Sequence, residues 1–225
     1  MHEPDGGPEL VGQFLEDHGF EIVNHVVTKD RSQINRSDPF PALADFELLI
    51  VGGSERSLTR KDEIDNWVHD ELGLIREAHA SGVPILGICF GGQMVAEALG
   101  GSVEVAPVTE IGWFGIEGSN NPVGPGPWFQ WHHDRFFPPT EAEVLATNEN
   151  AVQMYRIGTT VGMQFHPEVT ERHLKVWTEF APDAYLESYG VSAEQVVKDA
   201  AVHAEHNFDQ TKALVEWFVD EVIAG

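Results

Sequence analysis

The amino-acid sequence predicts an α/β fold of three layers, in which a mostly parallel central sheet carries helices on both faces. Strand-like and helix-like stretches alternate along the chain, and two of the strand-like stretches are apolar runs that end at glycine or cysteine. Parallel strands are buried on both faces and are connected through helices, so this alternation of apolar runs and helices is typical of such a sheet. The 225 residues suffice for one core, and we expect a single domain over residues 1–225.

Hydrophobic periodicity and turn residues define the elements expected in the first half of the chain. Apolar residues at helical spacing predict a helix over Leu10–Leu15 that closes at Gly19. The elements predicted after it are a strand over Glu21–Val27, a strand over Phe46–Val51, a helix over Asp62–Ala80, a strand over Val83–Ile88 and a helix over Gln93–Leu99.

The second half of the chain changes in texture at about residue 101. Short apolar stretches separated by turn residues predict a small region of antiparallel strands at about 101–165. The strands expected there are Val103–Val105, Trp113–Ile116, Phe129–His132, Val144–Thr147, Ala151–Tyr155 and Val161–Phe165. The helices expected after them are Glu171–Phe180, Ala193–His206 and Gln210–Ile223.

The charge of the chain restricts its partners. The 37 acidic and 13 basic residues give a formal net charge of -24. This field repels phosphate backbones, so nucleic acid is a poor partner. The acids are spread along the chain, which favours a strongly solvated surface, as in proteins adapted to high salt, over a site for a cationic partner. No apolar run is long enough to span a membrane and no secretory signal is visible, so we expect a cytoplasmic protein.

A nucleophile elbow is predicted around Cys89, the single cysteine. The segment Pro84–Gln93 predicts a buried strand that delivers this cysteine to a glycine-flanked turn, after which a helix follows. The partial positive charge at a helix N-terminus favours the thiolate, the reactive form of cysteine. A buried structural cysteine fits the same local pattern, so the interpretation depends on a base elsewhere in the chain.

A base and its orienting acid are predicted at the end of a second apolar strand, where His166 is followed by Pro167 and Glu168. Residues i and i+2 of an extended chain project to the same side, so the carboxylate can reach the rear nitrogen of the imidazole and fix its tautomer. Pro167 stiffens the link between them. The three residues that chemistry of this kind needs, a nucleophile, a base and an orienting acid, are therefore present as Cys89, His166 and Glu168.

The two motifs together resemble those of the class I glutamine amidotransferases. That family's nucleophile motif, Gly-x-Cys-x-Gly-x-Gln, matches Gly87, Cys89, Gly91 and Gln93, and its His-Pro-Glu motif matches 166–168. The resemblance covers nearly the whole chain and is nearest to the stand-alone type related to the GMP synthase glutaminase domain. It implies a flavodoxin-like glutaminase fold. It also implies hydrolysis of the glutamine side-chain amide through a cysteinyl γ-glutamyl thioester, with release of glutamate and ammonia and without a cofactor.

The resemblance also implies binding residues. The backbone N–H groups expected to stabilise the oxyanion are those of Gly53 and Phe90. The residues expected to contact the substrate are Gly52, Gln93, Trp131 and His133. The run from His132 to Asp134 also suggests a metal site, but adjacent histidines on a strand point to opposite faces, so we expect no metal there. The sequence leaves open which of the two histidines borders the pocket.

One feature of the family is not matched. Its members begin with an apolar strand before the turn that precedes the first helix, whereas here Met1 already lies in that turn. The first strand of the family is therefore expected to be missing from the sheet. The catalytic motifs do not lie in that part of the fold.

The sequence leaves three functions open. The first is a glutaminase that supplies ammonia to a synthetase or aminating partner in trans, since no Gly-rich phosphate loop is present. The second is a stand-alone γ-glutamyl hydrolase or peptidase, which would use the same three residues on a γ-glutamyl compound with a larger leaving group. The third is a non-catalytic regulatory module that has kept the fold, against which the complete set of catalytic residues argues.

Overall fold

A computed structural model describes residues 1–225 and confirms the α/β class. Its strands are β1 (Leu49–Val51), β2 (Ile85–Ile88), β3 (Ser102–Phe114), β4 (Trp128–Phe137), β5 (Glu143–Thr147), β6 (Val152–Ile157) and β7 (Thr160–Met163). Its α-helices are α1 (Glu9–Asp17), α2 (Asp65–Ala80), α3 (Phe90–Ala98), α4 (Glu171–Phe180), α5 (Asp183–Ser188) and α6 (Ala193–Trp217). Two short 3-10 segments, Leu43–Asp45 and Leu58–Glu63, precede α2, and a π-helical turn, Phe218–Ile223, continues α6.

The central sheet has five strands in the order β1-β2-β7-β6-β5. β1, β2 and β7 pair in parallel, whereas β6 runs antiparallel to both β7 and β5. Only β6 therefore runs against the other four strands, so the sheet is mostly parallel, as predicted. β3 and β4 form a separate antiparallel ribbon. The carboxyl ends of β1, β2 and β7 lie at the same edge of the sheet, which is where α/β proteins bind their ligands.

Helices cover both faces of the sheet and give the expected three layers. Ile85 of β2 packs with α2 and α3 in one apolar cluster, which includes Trp67. The next residue, Leu86, packs with α1 and α6 in a second cluster, which includes Leu15 and Leu214. Successive strand residues point to opposite faces, and each fully buried side chain of this size contributes about 1.5–3 kcal/mol to stability. None of the helices combines the length and the hydropathy needed to cross a membrane.

The strand predicted over Glu21–Val27 is wrong, because this segment is irregular. Its backbone bonds are few: the Met1 amino group donates to the carbonyl of His25, the amide of Val27 donates to the carbonyl of Met1, and the carbonyl of Val27 accepts from the amide of Ser37. A strand requires a partner for the backbone groups along its length. The apolar pattern was present here, but a partner for the whole segment was not.

The antiparallel pairing predicted at about 101–165 is present but is divided between two sheets. The strand expected at 103–105 and the first half of that expected at 113–116 belong to the one strand β3, whose pairing with β4 shifts in register between Val105 and Glu110. The strands expected over 144–165 join the central sheet as β5, β6 and β7. Short apolar stretches indicate strands, but only pairing decides the sheet to which each strand belongs.

The C-terminal helices also differ from the prediction. The two helices expected over Ala193–His206 and Gln210–Ile223 form one helix, α6 with its π-helical turn, and α5 was not predicted. Asn207, which falls in the predicted break, is buried within α6. Its Nδ2 donates to the carbonyl oxygens of Pro167, at 3.3 Å, and Val169, at 3.0 Å. The polar side chain therefore fastens α6 to the segment that carries the predicted base.

Candidate active site

Cys89 joins the carboxyl end of β2 to the first residue of α3, as a nucleophile elbow requires. Its backbone has φ 52° and ψ −109°, a conformation that costs a non-glycine residue about 1–3 kcal/mol. The amide of Cys89 donates to the carbonyl of Met163 at 2.8 Å, and its carbonyl accepts from the amide of Gln93 at 3.0 Å. The surrounding structure thus holds the sulfur in a strained and fixed position, which is a feature of functional sites.

Two glycines at the start of α3 make this turn sterically feasible. A Cβ on Gly91 would lie 1.8 Å from the carbonyl oxygen of Val51, and one on Gly92 would lie 2.3 Å from that of Met163. Any larger residue would push α3 away from β1 and β7. The glycines of the motif therefore bring the helix N-terminus and its positive end against the sheet edge that carries the site.

His166 and Glu168 form the second part of the site. The Nδ1 of His166 donates to Oε1 of Glu168 at 2.7 Å, and both side chains are buried. The amide of His166 donates to the carbonyl of Phe129 at 2.8 Å, which fixes the backbone beside β4. The imidazole and the Cys89 side chain lie in the wall of the same cavity. The structure therefore brings together the three residues that the sequence predicts to be catalytic.

The charges of this group support one another. Burial by itself lowers the pKa of His166, but the negative charges of Glu168 and Cys89 outweigh it and raise the pKa to about 10. The ring is then an imidazolium at neutral pH. The sulfur therefore has a positively charged neighbour in His166, in addition to the positive end of α3.

These side chains line a cavity of about 740 Å³. Cys89 has a relative exposure of only 5%, yet it lies in the cavity wall together with His166 and Glu168. The sulfur is therefore accessible to a ligand that enters the cavity. Among the predicted binding residues, the wall contains Gly53, Phe90, Gln93, Trp131 and His133.

Gly52 is placed differently from the other predicted binding residues. It does not line the cavity, and a Cβ built on it would meet the carbonyl oxygen of Gly6 and the Cα of Met1. The structure gives no support to a substrate contact at Gly52. Gly53, in contrast, faces the site, since a Cβ there would lie 3.1 Å from Cε1 of His166 and 3.9 Å from Cβ of Cys89.

The amide of Gln93 is engaged by the protein. Its Nε2 donates to the carbonyl of Asp134 at 3.1 Å and to Oε1 of Gln164 at 3.3 Å. Gln164 in turn lies with its Nε2 3.7 Å from Sγ of Cys89. Sequence reasoning missed Gln164, although its position two residues before His166 at the end of an apolar strand was a signal.

The two adjacent histidines have different surroundings. His132 is buried, where Nδ1 donates to the carbonyl of Asp134 at 3.0 Å and Nε2 lies 3.0 Å from Glu110. His133 is half-buried and its Nδ1 lies 2.9 Å from the hydroxyl of Thr109. Both residues line the cavity, but the ring of His132 is buried and bonded to interior groups. Partial burial lowers the pKa of His133. His133 is therefore the more accessible of the two.

Tyr185 of α5 was missed by the sequence analysis. Its hydroxyl accepts a hydrogen bond from Nε1 of Trp131 at 3.3 Å and also contacts Nε2 of His133. It thus connects two of the predicted binding residues across the cavity. No motif or periodicity marks this tyrosine, so nothing in the sequence could have identified it.

Arginines in the cavity wall were also missed. They are Arg31, Arg56 and Arg60. Arg31 pairs with Asp5, and with Glu55 at 2.8 Å. The wall therefore offers both signs of charge, which suits the ammonium and carboxylate groups of an amino acid. The position of two of these arginines soon after the carboxyl end of β1 was a usable signal.

Comparison with known proteins places these observations in a family. The sequence model described as glutamine amidotransferase class-I matches residues 19–177. The chain is 30% identical to one subunit of the glutamine-hydrolyzing GMP synthase of Sulfurisphaera tokodaii over 177 residues, which are 70% of this chain and 90% of that protein. It is 27% identical to a putative glutamine amidotransferase-like protein of Salmonella typhimurium over 231 residues, covering 95% of this chain and 92% of that protein.

Solved structures show the same architecture. A glutamine amidotransferase from Thermotoga maritima superposes with a TM-score of 0.82 at 26% identity, covering 98% of this chain and 96% of that one. A glutamine amido transferase from Methylobacillus flagellatus gives the same TM-score and identity, covering 98% of this chain and 92% of that one. The chain therefore belongs to the class I glutamine amidotransferases, a family of glutamine-hydrolysing enzymes with a cysteine nucleophile.

Proposed function

We propose that this protein hydrolyses the side-chain amide of glutamine, with Cys89 as nucleophile, His166 as proton carrier and Glu168 as orienting acid. The observation that carries the proposal is the strained Cys89 at the N-terminus of α3, in the wall of the cavity that also contains the hydrogen-bonded pair of His166 and Glu168. The products would be glutamate and ammonia.

The geometry supports a sequence of proton transfers through one imidazole. The Cys89 thiolate attacks the amide carbon, and the N–H groups of Gly53 and Phe90 stabilise the oxyanion that forms. One such donor is worth roughly 10²–10³-fold in kcat. The His166 imidazolium then gives its proton to the leaving nitrogen, and a γ-glutamyl thioester remains on Cys89. His166, now neutral, takes a proton from the water that hydrolyses the thioester, and the thiolate is released.

The ammonia is proposed to serve an amination partner supplied in trans. Two relatives are named as one subunit of a glutamine-hydrolyzing GMP synthase, and this name supports the interpretation because a subunit is one polypeptide of a larger assembly. The sequence also has no Gly-rich phosphate loop with which to activate an acceptor itself.

Covalent labelling tests the proposal directly. A diazo-ketone analogue of glutamine should form one adduct on the peptide that contains Cys89, as measured by mass spectrometry, and none in Cys89→Ala. In glutamine hydrolysis, His166→Ala should lose roughly 10³-fold or more in kcat. The control is His69→Ala, because His69 is exposed on α2 and paired only with Asp65. An unlabelled Cys89 together with no turnover in wild type would support the non-catalytic regulatory module instead. Turnover that survives in either active-site variant would refute the roles proposed for Cys89 and His166.

The size of the cavity favours one alternative substrate class. Its volume of about 740 Å³ lies in the range of sites that bury drug-sized ligands, roughly 300–1,000 Å³, and exceeds what a single amino acid requires. The same three residues could cleave a γ-glutamyl compound with a larger leaving group. Turnover of glutamine should be compared with that of γ-glutamyl dipeptides. Rapid dipeptide cleavage with negligible glutamine hydrolysis would replace the proposed glutaminase by a γ-glutamyl hydrolase.

A further inference from the structure

A buried pair of charged residues, His2 and Glu71, takes no part in the mechanism above. Their relative exposures are 1% and 7%, and Nε2 of His2 lies 3.1 Å from both carboxylate oxygens of Glu71. Removing such a pair from water costs about as much free energy as the attraction returns. The pair is therefore poorly explained by stability alone.

His2 contacts both residues that are proposed to stabilise the oxyanion. Its Nδ1 donates to the carbonyl of Gly53 at 3.0 Å. Its ring packs edge-on against the ring of Phe90, with centroids 4.8 Å apart, and tilted against Trp67 at 5.5 Å. One side chain thus joins the loop after β1 to the first residue of α3.

Glu71 fixes the ring that makes these contacts. With one ring nitrogen facing a carbonyl and the other facing a carboxylate, both nitrogens of His2 act as donors. Burial lowers the pKa of His2, but Glu71 outweighs it and raises the pKa above its ordinary value. Glu71 stands on α2, so the orientation of the Gly53 peptide is tied to a helix through the His2 ring.

We propose that His2, held by Glu71, is a positioning residue that fixes the backbone of Gly53 so that its N–H points at the developing oxyanion. This inference rests on the proposed function. Gly52 and Gly53 are adjacent glycines with wide conformational freedom, and an oxyanion donor is effective only when its direction is set before the reaction. The bond from His2 holds the peptide that follows the Gly53 Cα, which anchors Gly53 and restricts the directions that its own N–H can take.

The test separates oxyanion stabilisation from nucleophile reactivity. Glutamine kcat and KM are measured beside the rate at which iodoacetamide alkylates Cys89, a displacement at saturated carbon that forms no oxyanion. His2→Phe should lower kcat by roughly 10²-fold, with KM and the alkylation rate unchanged. His2→Asn, whose amide nitrogen can replace Nδ1, should recover most of the loss. His79→Phe, on the far end of α2 with Thr160 as its partner, should behave as wild type.

Several outcomes would overturn the inference. A parallel fall of kcat and alkylation rate in His2→Phe would show that His2 only supports the fold, and an unchanged kcat would show that it has no role. If His2→Phe does not fold, Glu71→Gln must give the same split between kcat and alkylation rate. If wild type fails to hydrolyse glutamine, that result refutes the proposed function but leaves the positioning by His2 to be tested separately. The positioning is then decided by the Gly53 carbonyl ¹³C resonance, which must shift in Glu71→Gln and stay near the wild-type value in His2→Asn.

Discussion

At the scale of single residues, the site depends on buried charges that are stable only when they are paired with an opposite charge. His166 and Glu168 are both buried, and an unpaired charge in either position would lower the stability of the folded state. The raised pKa of His166, about 10, records that its neighbours hold the proton in place. The same pairing that keeps the ring charged also places its Nδ1 against the acid and leaves its other edge for Cys89.

Removing the carboxylate of Glu168 should therefore make the His166 ring lose its positive charge at neutral pH. In Glu168→Gln we expect the pKa of His166 to fall from about 10 towards or below 6.5, because burial then acts against the charged ring with less opposition. The kcat for glutamine should fall by roughly 10²-fold or more, since the ring also loses its orientation. Titration of the His166 Cε1–H resonance measures the pKa, and a value that stays near 10 would contradict this account.

The same shift makes stability depend on pH in a definite direction. The folded state holds the His166 proton more tightly than the unfolded state, whose pKa is near 6.5. The contribution is complete below pH 6.5 and is lost as the pH rises through about 10. The excess free energy of unfolding of wild type over Glu168→Gln, measured in urea, should accordingly shrink across this window. A constant difference would show that His166 is not coupled to Glu168.

At the scale of elements, the site depends on how closely α3 approaches the sheet. Gly91 and Gly92 lie where any Cβ would overlap backbone carbonyls of β1 and β7. The N-terminus of α3 can therefore lie beside the ends of these strands, and Cys89 can take its strained conformation. Backbone neighbours cannot move aside as a flexible side chain can, so the tolerance at these positions is small.

A matched pair of helical glycines tests this packing. Gly91→Ala should destabilise the protein by about 3 kcal/mol or more and abolish hydrolysis, because its methyl group would lie 1.8 Å from the carbonyl oxygen of Val51. Gly73→Ala on α2 has its nearest neighbour at 3.9 Å and should stabilise by about 0.5–1 kcal/mol. Urea unfolding measures both. Equal effects from the two substitutions would mean that helix propensity, rather than close packing, governs Gly91.

At the scale of the whole molecule, the net charge of -24 is the dominant property. Like charges repel most in the compact state, so folding works against the field that the acids create. Individual surface ion pairs, such as that of Lys175 with Glu171 on α4, offset little of this repulsion. The catalytic group is buried and is screened much less than the surface.

Salt should consequently stabilise this protein. Between about 0.01 M and 1 M NaCl the Debye length falls from about 30 Å to about 3 Å. We expect the midpoint of thermal unfolding to rise across that range, by about 2–4 °C for each kcal/mol of repulsion screened. KCl should act as NaCl does, since screening depends on ionic strength. A midpoint that is flat or falls with added salt would show that surface ion pairs outweigh the net repulsion.

The sequence by itself determined the fold class and the three catalytic candidates, because their signals are local. Cys89 is marked by the strand and glycines on either side of it, and His166 and Glu168 are marked by their spacing of two residues just after an apolar strand. In the structure Glu168 reaches the ring from a turn after β7 rather than from an extended chain. Only the tertiary structure decided that the segment Glu21–Val27 is irregular and that Asn207 lies inside one long helix, since both depend on which partners lie alongside. Tyr185 and His2 meet the site across long sequence separations. Packing creates such contacts between distant residues, and no local pattern encodes them.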